Sequence, residues 1–386
     1  MSDKIAITVI AYNRTEPLKR LLNSLDVCFY GDDSVPLYIS IDKSETDAVE
    51  SFSDAFEWRH GSKKVVKHNT NLGLKAHILE QGRLLEQYEA LVVLEDDLVV
   101  AKDFWSYVKQ TVAKYSDNTD VAGVSLYSFS VNYHRREPFI PQRDGNDVYF
   151  MNCAMSWGEV WMRKSWQMFE RWYAENKNTP FGGHLPESIR TWSEKSWLKY
   201  HTRYCIEQNK YFVFPYVSYT TNYSEVGEHM KTEESIFQVP VLTGIIQELR
   251  LPDTVADGVC YDGFFENKML YAALGISEAE VCLDLYRTNN NLVGKRYWLT
   301  TRMLPYKLVR AYALGRRPIE QAVFDNVSGM GIFLYDTSEK GQQPLLKGNP
   351  VVLHQHLIQN GCLFLREYGV GSVMKEFLKL LKGKVL

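Results

Sequence analysis

Three consecutive carboxylates, Glu95-Asp96-Asp97, follow the apolar run Leu91-Val92-Val93-Leu94. Like charges this close repel one another, so the arrangement calls for a countercharge. An oxygen-preferring divalent cation, Mn2+ or Mg2+, suits it. Such an ion takes one carboxylate directly, and the two phosphates of a nucleotide diphosphate can fill further positions. Other chemically capable residues stand at comparable places, immediately after strand-like runs. Tyr12-Asn13-Arg14 follows Ile5–Ala11, Asp42 follows Leu37–Ile41, and Asn69-Thr70-Asn71-Leu72-Gly73-Leu74-Lys75 comes just after Lys63–Lys67. The Arg14 guanidinium suits phosphate or carbonyl oxygens. Lys75 opens a helical stretch, where it can meet a phosphate or a hydroxyl, although a helix N-terminus attracts anions without it.

These residues need a frame, and the first 125 residues supply one by alternating two periods. Short runs at 5–11, 37–41, 63–67 and 91–94 read as strands. Stretches at 18–25, 45–58 and 74–88 read as helices, the first with Leu18, Leu21, Leu22 and Leu25 on one face. Near-continuous apolar strands separated by amphipathic helices predict an α/β fold with a mostly parallel sheet covered on both faces. Ligands bind beyond the carboxyl ends of such strands, where the polar residues above are found. From about Val121 the alternation weakens, with strands expected at 121–126, 148–153 and 211–219 and a Trp-rich helix around Trp161–Tyr173. The chain is expected to divide at about 250. Residues 1–125 form a nucleotide-binding half and 126–250 an acceptor-facing half, while 251–386 form a mainly helical accessory region.

The segments Ile7-Thr8-Val9-Ile10-Ala11-Tyr12-Asn13-Arg14, Ser40-Ile41-Asp42 and Val93–Phe104 resemble GT-A glycosyltransferases. The resemblance is to the inverting Golgi N-acetylglucosaminyltransferase type and to bacterial capsule and lipopolysaccharide enzymes of the family 2 type. It spans about residues 5–105 and continues more loosely through Ser156-Trp157-Gly158, Trp192–Trp197, Phe214–Ser218 and Gly227-Glu228-His229. It implies a metal-dependent, inverting hexosyl- or N-acetylhexosaminyltransferase that uses a UDP-sugar donor and a glycan or lipid-linked saccharide acceptor, in surface polysaccharide synthesis. By this resemblance Arg14 contacts the nucleotide, Asp42 accepts from uracil N3–H, Glu95 and Asp96 hold the ribose and its neighbours, and Asp97 is the direct metal ligand. Tyr12, Lys75 and Trp157 join the donor site, and an aromatic face at Trp157 suits the C–H face of a sugar. His229 would touch the metal or the diphosphate. An inverting transfer also needs a base at the acceptor hydroxyl. The family places it in a Trp-flanked acidic segment, here Trp192-Ser193-Glu194-Lys195-Ser196-Trp197, which makes Glu194 the first choice and Glu187 the alternative.

Composition narrows the remaining classes. The 386 residues carry a net charge of −3, with a pI near 6.3, which argues against a general nucleic-acid binder. Six cysteines with no C-x-x-C pair argue against a zinc framework or a disulfide scaffold and fit reduced thiols. No basic, apolar leader and no apolar run of about 18 residues is visible. A cytoplasmic enzyme is therefore expected, peripheral at the inner face of a membrane if the stretch between Asp284 and Glu320 binds there. That stretch holds eight basic residues and no acid, interleaved with Tyr297, Trp298, Leu299 and other apolar side chains, a mixture suited to an anionic membrane surface or to a basic face packed on the chain's own acids. Two alternatives share the sheet. A sugar-phosphate nucleotidyltransferase would carry a Gly-rich basic loop after the first strand, where this chain has Ala11-Tyr12-Asn13-Arg14. A transferase-like domain kept only for binding would have lost Asp97, which is present.

Overall fold

The computed structural model describes residues 4–223, 236–315 and 317–344, together with a few helical positions between Gly369 and Leu378. His229 and Arg316 lie outside these residues, as do most of positions 374–382, whose sequence Met374-Lys375-Glu376-Phe377-Leu378-Lys379-Leu380-Leu381-Lys382 reads as amphipathic at helical spacing. The first part runs β1 (Ile5–Ala11), α1 (Thr15–Asp26), β2 (Leu37–Ile41), α2 (Ala48–Ala55), β3 (Lys63–Lys67), α3 (Leu74–Glu80), β4 (Ala90–Glu95), β5 (Leu98–Val100), α4 (Phe104–Tyr115) and β6 (Val121–Ser125). It continues with the short hairpin β7 (Val131–Asn132) and β8 (Glu137–Pro138), then β9 (Val148–Met151), β10 (Glu159–Met162), α5 (Arg163–Asn176), α6 (Glu187–Thr191), α7 (Leu198–Glu207), β11 (Tyr211–Pro215), β12 (Thr220–Asn222) and β13 (Cys260–Tyr261).

Nine strands form one sheet in the order β13-β9-β11-β6-β10-β4-β1-β2-β3. The block β4-β1-β2-β3 is parallel throughout, while β10 runs antiparallel to both β4 and β6. The expected α/β class and mostly parallel sheet are present. Alternation along β1 shows how both faces are filled: Ile7, Val9 and Ala11 join one core with Leu18, Leu21, Leu22 and Leu25 of α1, and Ala6 and Ile10 join the other with Trp166 and Phe169 of α5. Pro17 lies in the first turn of α1, where its missing N–H breaks no helical bond. Each such leucine, fully buried, contributes about 1.5–3 kcal/mol.

Two expectations are corrected. Trp161 belongs to strand β10, and the Trp-rich helix begins only at Arg163. The strand is four residues long and enters the helix without a turn, so no punctuation separates them. The region beyond 250 is not mainly helical among the described residues. It contributes β13 to the large sheet, then α8 (Leu270–Leu274), β14 (Val281–Asp284), β15 (Tyr297–Thr300), β16 (Tyr306–Tyr312), α9 (Gln321–Phe324) and β17 (Ile332–Lys340). Within 264–274, whose sequence reads as helical, only Leu270–Leu274 forms a helix. The last four strands make a separate sheet, β14-β15-β17-β16. Aromatic and β-branched residues in short runs, bounded by Gly294, Pro305, Gly315 and Gly331, favour pairing over helix. The basic stretch runs through β15 and β16 and the segments around them, and it pairs with acids of the chain: Arg287 with Glu137, Arg296 with Asp336, Arg302 with Asp284 and Lys307 with Glu339. No described helix is long and apolar enough to cross a membrane.

The second sheet meets the first through buried acids. Glu320 accepts from the Tyr261 hydroxyl at 2.6 Å and from Asn267 at 3.1 Å, and Glu266 accepts from the Tyr286 N–H at 3.0 Å. Burial pushes Glu266 well above the ordinary carboxylate range and Asp262 up to about 6. A raised folded pKa adds stability that is fully present below the unfolded value and is lost as pH rises through the folded one. Glu266→Gln keeps an acceptor for Tyr286 and removes that titration. The Tm advantage of the variant over the wild type is therefore expected to grow between pH 4.5 and pH 7.5; an advantage that stays constant or shrinks with pH contradicts the assignment.

Candidate functional site

The acidic turn sits where the sheet rule places a ligand, at the carboxyl end of central strand β4. Arg14, just past the end of neighbouring β1, answers it. Its guanidinium is ion-paired with Asp96 and reaches Asp97 Oδ2 at 3.1 Å, and the two acids hold it charged. Glu95 is hydrogen-bonded by the Ser156 side chain, from the segment that precedes β10. Burial first, and then the charges of Asp97 and Asp96, push Glu95 up to about 8. Three carboxylates thus share one arginine. The Asp97 side chain is 23% exposed against 6% for Asp96, so Asp97 is the more accessible of the Arg14-bound pair.

These residues fit a divalent cation in one respect and limit it in another. Uncompensated negative charge, accessible at Asp97, suits a hard ion. Among the described residues no three His, Cys, Asp or Glu side chains converge as a metal group. The protein's share of such a site would be Asp97, backed by Asp96 and Glu95, with the remaining positions left to phosphate and water. His229 lies outside the described residues, but the chain leading toward it is tied to the acidic turn. Strand β12 pairs antiparallel with β5, and the Tyr223 N–H donates to the Asp97 carbonyl at 3.1 Å.

Asp42, at the end of β2, is buried, and both of its carboxylate oxygens are engaged. Oδ1 accepts from the N–H groups of Lys43 at 2.9 Å and Leu72 at 2.8 Å, and Oδ2 accepts from the Gly73 N–H at 2.9 Å. The carboxylate therefore shapes the loop after β3 as well as facing the strand ends. Gly73 has φ +75°, which a side chain would strain. Beneath it Ser40, His77, Gln81 and Thr8 form a buried network, with Ser40 Oγ 2.7 Å from His77 Nε2. Burial pushes His77 down to about 4, so it is neutral there.

Two residues from distant parts of the chain meet next. Lys75 donates to the Glu194 carbonyl at 2.7 Å and stands over the Tyr200 ring, so it braces the Glu194 turn while keeping two further N–H donors. The Glu194 carboxylate is exposed, accepts from Lys199 at 2.7 Å and from the Tyr200 hydroxyl at 2.9 Å, and is held below the ordinary carboxylate range by those bonds. It is ionised at neutral pH and oriented toward a cavity of about 570 Å3 that it lines with Arg190 and Phe181. Glu187 is exposed at the start of α6 and lines a different cavity, of about 350 Å3. Trp157 is half-buried edge-on to Tyr127, with ring centroids 4.8 Å apart, one residue from the Ser156 that touches Glu95. Tyr12 is half-buried in the bend before Arg14. Ser156 lies in the Ser156-Trp157-Gly158 segment of the resemblance, whereas Lys199, Tyr200 and Arg190 carry no sequence signal beyond the proximity of the first two to Glu194.

No protein-family model matches the chain, and no curated protein does. Parts of it are similar to solved structures. S. aureus TarS in complex with UDP-GlcNAc aligns at 15% identity with a TM-score of 0.38, over 59% of this chain and 61% of that one. The mannosyltransferase PcManGT from Pyrobaculum calidifontis, in complex with GDP-Man and Mn2+, aligns at 13% identity and 0.35, over 55% and 54%. GalNAc-T7 with UDP, GalNAc and Mn2+ aligns at 12% identity and 0.40, over 55% and 42%. The chain thus spans about three fifths of the TarS structure and less of the others, and the likeness is one of partial fold.

The Asp42 geometry carries its own test. Asp42→Asn places an amide NH2 against one of the loop N–H groups, so it is expected to cost about 1–3 kcal/mol and to speed hydrogen exchange at Leu72 and Gly73. Unchanged exchange there would mean that the loop holds its shape without Asp42.

Proposed function

We propose that this protein transfers a sugar from a UDP-sugar to a saccharide hydroxyl with inversion, using Mn2+ or Mg2+, in the synthesis of a surface polysaccharide. The observation that carries the reading is the carboxylate cluster at the end of β4, clamped by Arg14 and flanked by the Asp42 loop. Asp97 would hold the metal, with Asp96 fixed behind it. When bound, the ion would neutralise charge gathering on the departing diphosphate. Arg14 positions the acid turn and offers a fixed positive charge beside the phosphates. Asp42 keeps lone pairs beyond those its loop uses, so a uracil N3–H remains a compatible donor.

For the acceptor half, Glu194 is ionised and oriented, as a proton acceptor must be. The acceptor oxygen forms its bond to the anomeric carbon as the bond to the diphosphate breaks, and the hydroxyl proton passes to Glu194 Oε. Lys75 ties this turn to the donor-side loop, and Lys199 holds the carboxylate within the turn, which supports a fixed distance between base and leaving group. Exposed Leu308, Val309 and Arg310 on edge strand β16 favour a second reading of the acceptor, as a lipid-linked saccharide at an anionic membrane surface.

UDP with Mn2+ is expected to raise the Tm, by about 2.7 kcal/mol of linkage at a hundredfold excess over Kd. Asp97→Ala should abolish that shift and lower UDP-sugar turnover more than about tenfold. A wild type that responds to neither UDP nor metal contradicts the reading, and pyrophosphate release from UTP and a sugar phosphate would point to the nucleotidyltransferase instead. Glu194→Gln is expected to lower turnover by about 10²–10⁴ with the UDP response intact. If Glu187→Gln gives the large loss and Glu194→Gln does not, the base is Glu187. Liposome flotation checks the membrane surface: binding should require anionic lipid and weaken with salt, and failure to float at low salt removes it.

A further inference from the structure

Between α6 and the C-terminal sheet lies the cavity of about 350 Å3 that Glu187 lines. Its wall carries four arginines, Arg135, Arg190, Arg287 and Arg302, against that one carboxylate. They come from three distant parts of the chain, and only the fold gathers them. Guanidinium groups sharing one concavity repel one another and concentrate a positive potential there. Two are answered within the chain: Arg287 by Glu137, and Arg302 by Asp284 at 2.9 Å. Arg135 has only a 3.8 Å approach to the Glu137 oxygen that Arg287 already occupies, and Arg190 forms no ion pair among the described residues. Positive charge is therefore left over on the wall.

A second, independent observation concerns donors. Arg287 Nε and Thr288 Oγ1 are buried without a hydrogen-bond partner, and both residues line the cavity. Buried donors are rarely left unmet, because water has been removed and nothing replaces it. Arg287 also holds φ +61°, a backbone conformation that non-glycine residues seldom take and that clusters at ligand sites. Missing acceptors, surplus guanidinium and a strained arginine coincide on one wall. The volume exceeds that of a single ion and falls in the range of organic ligand sites. Arg190 also lines the neighbouring cavity that contains Glu194, so the two share a wall.

We infer that this cavity is an acceptor subsite for a saccharide bearing an oxyanion, a phosphodiester or a uronate carboxylate, held by the arginines while its reacting hydroxyl lies toward Glu194. Planar guanidinium forks recognise either oxyanion in the same bidentate way. Calling it an acceptor subsite rests on the transferase reading; the anion site itself does not.

Titration calorimetry of the full chain at low salt, with a glycerol phosphate trimer, a galacturonate trimer and neutral maltotriose, tests this. At least one anionic trimer should bind about tenfold or more tighter than maltotriose, and salt should weaken it. Preference for the phosphate trimer alone identifies a phosphodiester, and preference for galacturonate alone a uronate. R135Q/R190Q should erase the preference, and R190Q alone should reduce it, with Tm and the UDP response unchanged; D97A should retain it. The inference is overturned if neither anionic trimer exceeds maltotriose, or if R135Q/R190Q keeps the wild-type preference. Anionic binding in a protein that ignores UDP would sink the transferase reading and leave the cavity assignment standing.

Discussion

At the end of β4 one guanidinium faces three consecutive carboxylates, and much of the surrounding structure answers that imbalance. Arg14 can reach Asp96 and Asp97 only because β1 and β4 are parallel neighbours, which ends both strands on the same edge of the sheet. Burial and the neighbouring charges of Asp97 and Asp96 push Glu95 up, and Asp97 remains the accessible acid of the Arg14-bound pair. A turn this acidic would be relieved if a cation entered it. That is a property of this chain's own residues before any ligand is considered.

The same edge is joined to the far half of the site by a short relay. Asp42 fixes the N–H groups of Leu72 and Gly73, and Lys75, two residues on, braces the carbonyl of Glu194. Residues 72–75 thus bridge what would be the donor side and the acceptor side. Lys75 thereby has a bracing contact in addition to the phosphate or hydroxyl contact that the sequence suggests. It also gives Glu194 a defined place although its carboxylate is exposed, since Lys199 and Tyr200 hold its oxygens.

What could be seen from sequence follows from how far apart the deciding residues lie. Strands β1, β2 and β4 were legible because each is a mostly apolar run with a polar end, and edge strand β3, with only Val65 and Val66 apolar, because it recurs in the same alternation with helices. The Glu95–Asp97 cluster was legible because its members are consecutive. Strand β10 was hidden by a buried Glu159 and by its direct passage into α5. That acid is tolerated because it accepts from the Met155 N–H and the Trp161 indole. The C-terminal sheet was misjudged as helical because its strands pair at long range, β14 with β15 and β15 with β17, and a local period does not reveal such partners. The arginine-lined cavity was invisible for the same reason, since residues 135, 190, 287 and 302 share no local pattern.

The central claim is that Asp97 receives a divalent cation together with a nucleotide diphosphate. Anomalous diffraction from crystals of the full chain grown with Mn2+ and UDP measures this directly. The account requires a manganese peak bonded to an Asp97 carboxylate oxygen, with diphosphate oxygens in the same coordination shell. A peak elsewhere, or UDP bound with no metal at Asp97, would contradict it.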